Sequence, residues 1–186
     1  MPNNPSPAVQ NPIVEAAPVV FALDLSMKNT GWAVNDLDGT RHGAQSFLVT
    51  KKQNAALRFF TFQGWFACML DQHAPDVVLY EESDPRHMKS GQGVNCAVGL
   101  RTLVEMECAR RDIPTKQIMP NSLKKAFTGS GNADKEAMKE AAAKRFGNYD
   151  AAADKGGDVA DCLGIVAVWM DTPDVFEPKG KEKKTL

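Results

Sequence analysis

The chain has 186 residues, of which 43% are hydrophobic and 24% are charged, a composition that favours one ordinary globular domain with a real core. The sequence contains no apolar run of about 18 residues and no N-terminal signal-peptide pattern, so we expect a cytoplasmic protein without a membrane partner. The four cysteines form no CxxC pair and the three histidines are scattered, which argues against zinc and favours reduced core thiols.

Charge is distributed unevenly along the chain. The formal net charge of −1 argues by itself against nucleic acid. Residues 86–145, however, hold 12 Lys/Arg against 6 Asp/Glu, so the remainder of the chain is acidic. A basic surface for a polyanion beside an acidic pocket for cations would produce this asymmetry, and so would a mixed surface that is simply solvated.

Three segments follow from composition. Residues 1–18 hold five prolines among Asn, Ala and Ser, which is typical of a disordered leader. Residues 19–171 carry the apolar periodicity of a folded domain. Residues 172–186 end in KGKEKKTL, a sequence typical of a basic, flexible tail.

Strands and helices are predicted in a mixed order within the central segment. The predicted strands span 19–25, 31–35, 44–50, 76–81 and 114–118, with a hairpin signal at Asp38-Gly39. The predicted helices span 53–72, 94–111, 120–127, 133–146 and 158–170, and Asn132 is the expected cap of the fourth. An aromatic stripe at 59, 62 and 66 on the first helix is expected to lie in the core. The pattern predicts an α/β fold with a mixed five-stranded sheet flanked by helices.

Acidic residues lie at three informative positions. Asp24 ends the first apolar strand and Glu81 ends the fourth, where sites are built in open α/β sheets. Asp158 and Asp161 are three residues apart, so they share one face of the last helix. A turn-capping role for Asp24 and the preference of acids for helix N-termini are ordinary alternatives. They do not explain why acids also end two apolar strands.

Four converging carboxylates without histidine or cysteine would form a site of hard oxygen ligands. Such a site suits Mg²⁺, with Mn²⁺ as a substitute, rather than zinc. The carboxylates would repel one another unless cations were present. Two divalent ions in one site can flank a scissile phosphate, so we expect two per site.

Four basic residues are candidates for DNA phosphate contacts. Lys135 lies in the first turn of its predicted helix, where the macrodipole disfavours a cation unless an anion joins it. Gly129 and Gly131, in the preceding loop, could let backbone N–H groups approach that anion. Lys124 is close enough in sequence to reach the same phosphate, although both lysines could be ordinary surface charges. Arg86 and Lys89, in the polar loop after the fourth strand, complete the set.

These motifs together resemble the RuvC family of Holliday-junction resolvases, in the RNase H-like superfamily, from about residue 19 to 170. The family opens with a strand-borne Asp, a turn and Thr-Gly, as in LDLSMKNTGWAV. Its second acid ends the fourth strand, as Glu81 does in VVLYEES, and its last two acids open the final helix, as in DVADCLG. Two lysines flank a Gly-x-Gly loop in the family, as Lys124 and Lys135 do here.

The resemblance implies an RNase H-like fold, a homodimer built on the predicted 94–111 helix, and Mg²⁺-dependent paired nicking of four-way DNA junctions. Asp24, Glu81, Asp158 and Asp161 would hold the metal. The sequence departs from the family in two places. Glu82 directly follows Glu81, and strand alternation lets only one of them face the site, for which we favour Glu81. Asp84 stands where the bacterial resolvase carries an aromatic wedge.

Other functions are consistent with parts of this pattern. The closest alternative is a broader nuclease that cuts flaps and other branched DNA. A non-catalytic junction-binding module would not need the complete acid set. A sugar-kinase or actin-type ATPase would need a second phosphate motif and a second domain, which a chain of 186 residues lacks.

Overall fold

A computed structural model describes residues 17–26, 28–36, 38–47, 55–82 and 91–177. Most of the predicted leader and all of the tail after 177 lie outside these residues, as do Arg86, Lys89 and Asp84. The described residues extend past the predicted domain end at 171. They include a short 3₁₀ helix, Pro173–Phe176, in which Phe176 is buried and contacts Trp169.

Five strands and five α-helices make up the described fold. The strands are β1 (Val20–Asp24), β2 (Thr30–Asp36), β3 (Gly39–Gln45), β4 (Val77–Glu81) and β5 (Thr115–Ile118). The helices are α1 (Ala55–His73), α2 (Gly91–Ala109), α3 (Pro120–Thr128), α4 (Lys135–Arg145) and α5 (Asp158–Asp171).

The predicted third strand, 44–50, is placed too late in the chain. The hairpin is tight and pairs Asp36 with Gly39, so β3 begins directly after the turn. Gly39 makes this possible with φ of 114°, a backbone conformation that favours glycine. The hairpin signal at Asp38-Gly39 is therefore confirmed. The predicted start of the strand at 44 is wrong, and its last residues, 48–50, lie outside the described residues. β3 has the polar, partly exposed sequence GTRHGAQ, which lacks the alternation of apolar residues by which strands are predicted.

The sheet has the order β3-β2-β1-β4-β5. β2 pairs antiparallel with β1 and β3, whereas β4 pairs parallel with β1 and β5, which confirms the predicted mixed sheet. Alternate residues face opposite layers. Val20 and Ala22 face α5, and Phe21 and Leu23 face α1 and α2.

The two cores differ in character. The α1–α2 side is aromatic, with Phe62 and Phe66 fully buried, so the predicted core stripe on the first helix is confirmed there. The α5 side is mainly aliphatic, and nine of the ten residues 159–168 of this helix are buried, the exception being Asp161. α5 is therefore the central helix on this side of the sheet.

The cysteines are all free thiols. Cys108 and Cys162 lie in the core as expected, whereas Cys68 is exposed on α1, where the core prediction is wrong. Among the described residues, none of the helices combines the length and hydropathy that a bilayer span requires.

Candidate active site

The site begins at the carboxyl ends of two neighbouring strands. β1 and β4 are parallel and pair Leu23 with Tyr80, so Asp24 and Glu81 follow at the same edge of the sheet. Both side chains continue the alternation that faces α5. Their approach is therefore dictated by the sheet register.

α5 brings the second pair of acids to this edge. Its first turn lies so close to β2 that a Cβ on Gly31 would stand 2.2 Å from the carbonyl oxygen of Asp158. Gly31 pairs with Asp24 across the β1–β2 ladder. The absence of a side chain at Gly31 thus lets Asp158 and Asp161 approach Asp24, which is a physical reason for the Thr-Gly motif.

The charges of neighbouring acids raise the pKa values of three of the four acids, which indicates that these carboxylates lie near one another. Burial first, then the charges of Asp161, Glu81 and Asp158, raise the pKa of Asp24 well above its usual value. Burial and Asp161 raise the pKa of Glu81 to about 7. Burial raises the pKa of Asp161 to about 6, against the opposing effect of Lys124 and Lys135. The acids predicted from sequence are therefore brought together.

Glu82 lies on the other side of the sheet. It lines a cavity of about 630 Å³ with Tyr80 and Glu105. The hydrogen bond from Arg101 on α2 to Glu105 is the main cause of the raised pKa of Arg101, and the charge of Glu82 adds a smaller contribution. The backbone N–H of Glu82 donates to the Ile118 carbonyl at 2.8 Å. The alternation that favours Glu81 for the site agrees with this geometry.

Among the described residues, Lys124 of α3 and Lys135 of α4 are the cations whose charges lower the pKa values of these acids. Lys124 lowers the pKa of both Glu81 and Asp161, and Lys135 lowers that of Asp24 and Asp161. The Lys135 ammonium also donates to the carbonyl of Gly156 at 2.5 Å. Both lysines therefore border the acid cluster.

The N–H of Gly129 is not available for the expected anion. The Gly129 N–H donates to the Lys125 carbonyl, because Gly129 caps α3 with φ of 85°. The predicted cap Asn132 is also wrong: Asp134 caps α4 and accepts from the Ala137 N–H at 2.9 Å. A carboxylate of the chain itself already occupies this helix N-terminus.

Asp154 is a buried acid that sequence reasoning missed. Its carboxylate accepts from the backbone N–H of Gly157 at 3.0 Å and of Ala160 at 2.9 Å. The Tyr149 hydroxyl also donates to it, at 2.9 Å. Gly157, the N-cap of α5, has no side chain, so Asp154 supplies the missing cap from outside the helix. It anchors the turn that carries Asp158 and Asp161.

The donor set suits a divalent cation that prefers oxygen ligands. In the ranges that the structure describes, no three Asp, Glu, His or Cys side chains stand close enough to hold an ion as they are arranged. Burial is the main cause of the raised pKa values of Asp24, Glu81 and Asp161, and repulsion between the carboxylates adds to it. Lys124 and Lys135 are the cations that oppose this repulsion.

Comparisons with known proteins agree with this architecture. The family described as crossover junction endodeoxyribonuclease RuvC matches residues 20–168. The protein of that name from Cereibacter sphaeroides is 28% identical over 153 residues, covering 78% of this chain and 85% of that protein. Its counterpart from Paenarthrobacter aurescens is 37% identical over 151 residues, covering 78% and 77%.

A solved structure extends the comparison to three dimensions. T. thermophilus RuvC in complex with a Holliday junction substrate aligns with a TM-score of 0.67 at 19% identity, covering 80% of this chain and 90% of that chain. The shared fold is RNase H-like, as the sequence resemblance implied. Because the family match spans nearly all of the described fold, the chain belongs to the RuvC family.

Proposed function

We propose that this chain is a metal-dependent, structure-specific DNA endonuclease that resolves four-way junctions by paired phosphodiester hydrolysis. The observation that carries the proposal is the coupled cluster of Asp24, Glu81 and Asp161, with Asp158 beside it, at one edge of the sheet. Membership of a family whose relatives are named crossover junction endodeoxyribonucleases supports the reaction. The junction-bound structural neighbour supports the substrate class.

Asp24, Glu81, Asp158 and Asp161 would hold Mg²⁺, with Mn²⁺ as a substitute and two ions per site. The residues present suit such ions, because their donor atoms are carboxylate oxygens and because the four acids carry more negative charge than Lys124 and Lys135 offset. Bound divalent ions would supply an activated water and stabilise the leaving oxygen.

The other contributions come from the protein. Lys124 and Lys135 would neutralise phosphates beside the scissile bond, since both already border the acids. Arg86 and Lys89 would extend these contacts along the DNA. The carboxylates must be ionised to bind cations, so the proton that Glu81 holds up to about pH 7 has to leave first.

Paired nicking calls for two sites, and we propose that a homodimer supplies them. Val98 and Met106 of α2 are about half exposed, at 54% and 49%. Exposed apolar side chains on this helix favour contact with a second copy of the chain, as the family resemblance implied. A monomer by light scattering at micromolar concentration that still makes paired nicks would contradict the dimer.

The function is tested by incubating the protein and Mg²⁺ with matched four-way junction, flap and duplex substrates. Symmetric nicks in the junction, with little cutting of the other two, are expected. Preferential cutting of flaps would favour the broader branch nuclease. Tight junction binding without cutting in Mg²⁺ or Mn²⁺ would favour a non-catalytic module.

A further inference from the structure

The carboxylate of Asp158 is held by a residue that does not belong to the acid cluster. The side-chain amide of Asn29 donates to Asp158 Oδ2 at 2.6 Å. The bond joins the turn after β1 to the first turn of α5, across 129 residues of sequence. The turn after β1 therefore holds the Asp158 side chain of α5 in one orientation.

The turn that carries Asn29 is itself anchored. Thr30 is fully buried, and its hydroxyl donates to the Ser26 carbonyl at 2.6 Å. The Ser26 hydroxyl in turn accepts from the Lys28 N–H at 3.3 Å. Because both neighbours of Asn29 are tied to Ser26, its amide is presented in a defined place before any ligand arrives.

Gly156 limits the Asp158 carboxylate from another side. A Cβ on Gly156 would lie 2.4 Å from Asp158 Oδ2, so only glycine leaves room for the carboxylate. The carbonyl of the same glycine accepts from Lys135. Asp158 is thus enclosed by the Asn29 amide and a glycine that is held in place.

A neutral donor has a specific consequence for a carboxylate that is to bind a cation. An amide stabilises and orients the ionised carboxylate without cancelling its charge, whereas a lysine in the same place would compete with the cation. Hydrogen bonds from outside the ligand set commonly orient metal-binding carboxylates in this way. Asn29 donates to Oδ2 of Asp158 and not to Oδ1, so it leaves Oδ1 for a cation.

We propose that Asn29 is a positioning residue that orients Asp158 for divalent-cation binding. The inference rests on the proposed function, because it assigns Asn29 a role at that same site. Removal of the amide donor should weaken metal binding about tenfold, the low end of the effect of such supporting residues. DNA affinity should not change, since Asn29 acts through Asp158.

The experiment compares Asn29→Ala and Asn29→Leu with the wild-type protein. Leucine keeps the side-chain volume and removes the donor. Asn148→Ala is the matched control, because that amide donates to the Thr40 carbonyl at 2.8 Å on the surface. Mn²⁺ affinity is measured by calorimetry without DNA, together with junction affinity in Ca²⁺, thermal stability, and the Mg²⁺ concentration for half-maximal nicking.

Both Asn29 variants should bind Mn²⁺ about tenfold more weakly and need about tenfold more Mg²⁺, with junction affinity and melting temperature unchanged. Asn148→Ala should match the wild type in all four measurements. Wild-type Mn²⁺ affinity in Asn29→Leu would overturn the inference and leave the proposed function intact. A wild-type protein that neither binds Mn²⁺ nor nicks junctions would overturn both.

Discussion

Neutralising one acid of the cluster should make the metal-free protein more stable while removing its activity. Glu81 is the clearest case, because burial and the charge of Asp161 raise its pKa from 4.5 to about 7. At about 1.36 kcal/mol for each pKa unit, the ionised side chain costs at most about 3.4 kcal/mol. Water that reaches the half-buried side chain lowers this figure, so we expect Glu81→Gln to gain about 1–3 kcal/mol at pH 8.

The pH dependence has a definite sign. The folded protein keeps the Glu81 proton between about pH 4.5 and 7, whereas the unfolded chain loses it. The stability of the wild-type protein relative to Glu81→Gln therefore falls as the pH rises through this window. Below pH 4.5 the residue is protonated in both states and the advantage of the variant disappears.

Thermal unfolding in EDTA at pH 4.5 and pH 8 measures the effect. A gain of 1–3 kcal/mol corresponds to about 2–12 °C in a chain of this size. Glu82→Gln is the control, because Glu82 faces α2, and it should change little at either pH. Added Mg²⁺ should raise the melting temperature of the wild type more than that of Glu81→Gln. A Glu81→Gln variant that is less stable than wild type at pH 8 would refute the reasoning.

Three further predictions follow from the same geometry. Gly31→Ala should lose about 1–3 kcal/mol of stability, measured by urea unfolding, and all nicking, because the new Cβ would lie 2.2 Å from the Asp158 carbonyl oxygen. In the control Gly64→Ala, the new Cβ would meet no neighbouring atom within 4 Å, so this variant should gain about 0.5–1 kcal/mol. The Mg²⁺ concentration for half-maximal nicking should be about tenfold higher at pH 6 than at pH 8, because protons on Glu81 compete with the cation; an equal requirement would contradict this. Lys124→Ala should reduce the slope of log junction affinity against log salt concentration by about one unit, because one phosphate contact is lost. Lys144→Ala, which changes an exposed lysine at the far end of α4, should reduce the slope by much less. Equal slopes for the two variants would leave Lys124 an ordinary surface charge.

Much of the site could be predicted because its acids end regular elements. Asp24 and Glu81 each follow an apolar strand, and strand alternation decides between Glu81 and Glu82. Asp158 and Asp161 lie three apart at a helix start. These are local patterns, and a linear sequence displays them directly.

The supporting residues could not be found in this way. Asp154 caps α5 from outside the helix, so no position within α5 reveals it. Asn29 acts on a carboxylate 129 residues away, and only the close packing allowed by Gly31 brings the two together. The anion cradle expected at Gly129 failed because that N–H closes α3 instead.

The central claim, that these acids form one metal-dependent nuclease site, is tested most directly with Asp24→Asn. Junction binding is measured in Ca²⁺, and nicking in Mg²⁺ and in excess EDTA, for the variant and the wild type. We predict equal junction affinity, paired nicks by the wild type in Mg²⁺ alone, and no nicks by Asp24→Asn. Undiminished nicking by the wild type in EDTA, or by Asp24→Asn in Mg²⁺, would contradict the claim.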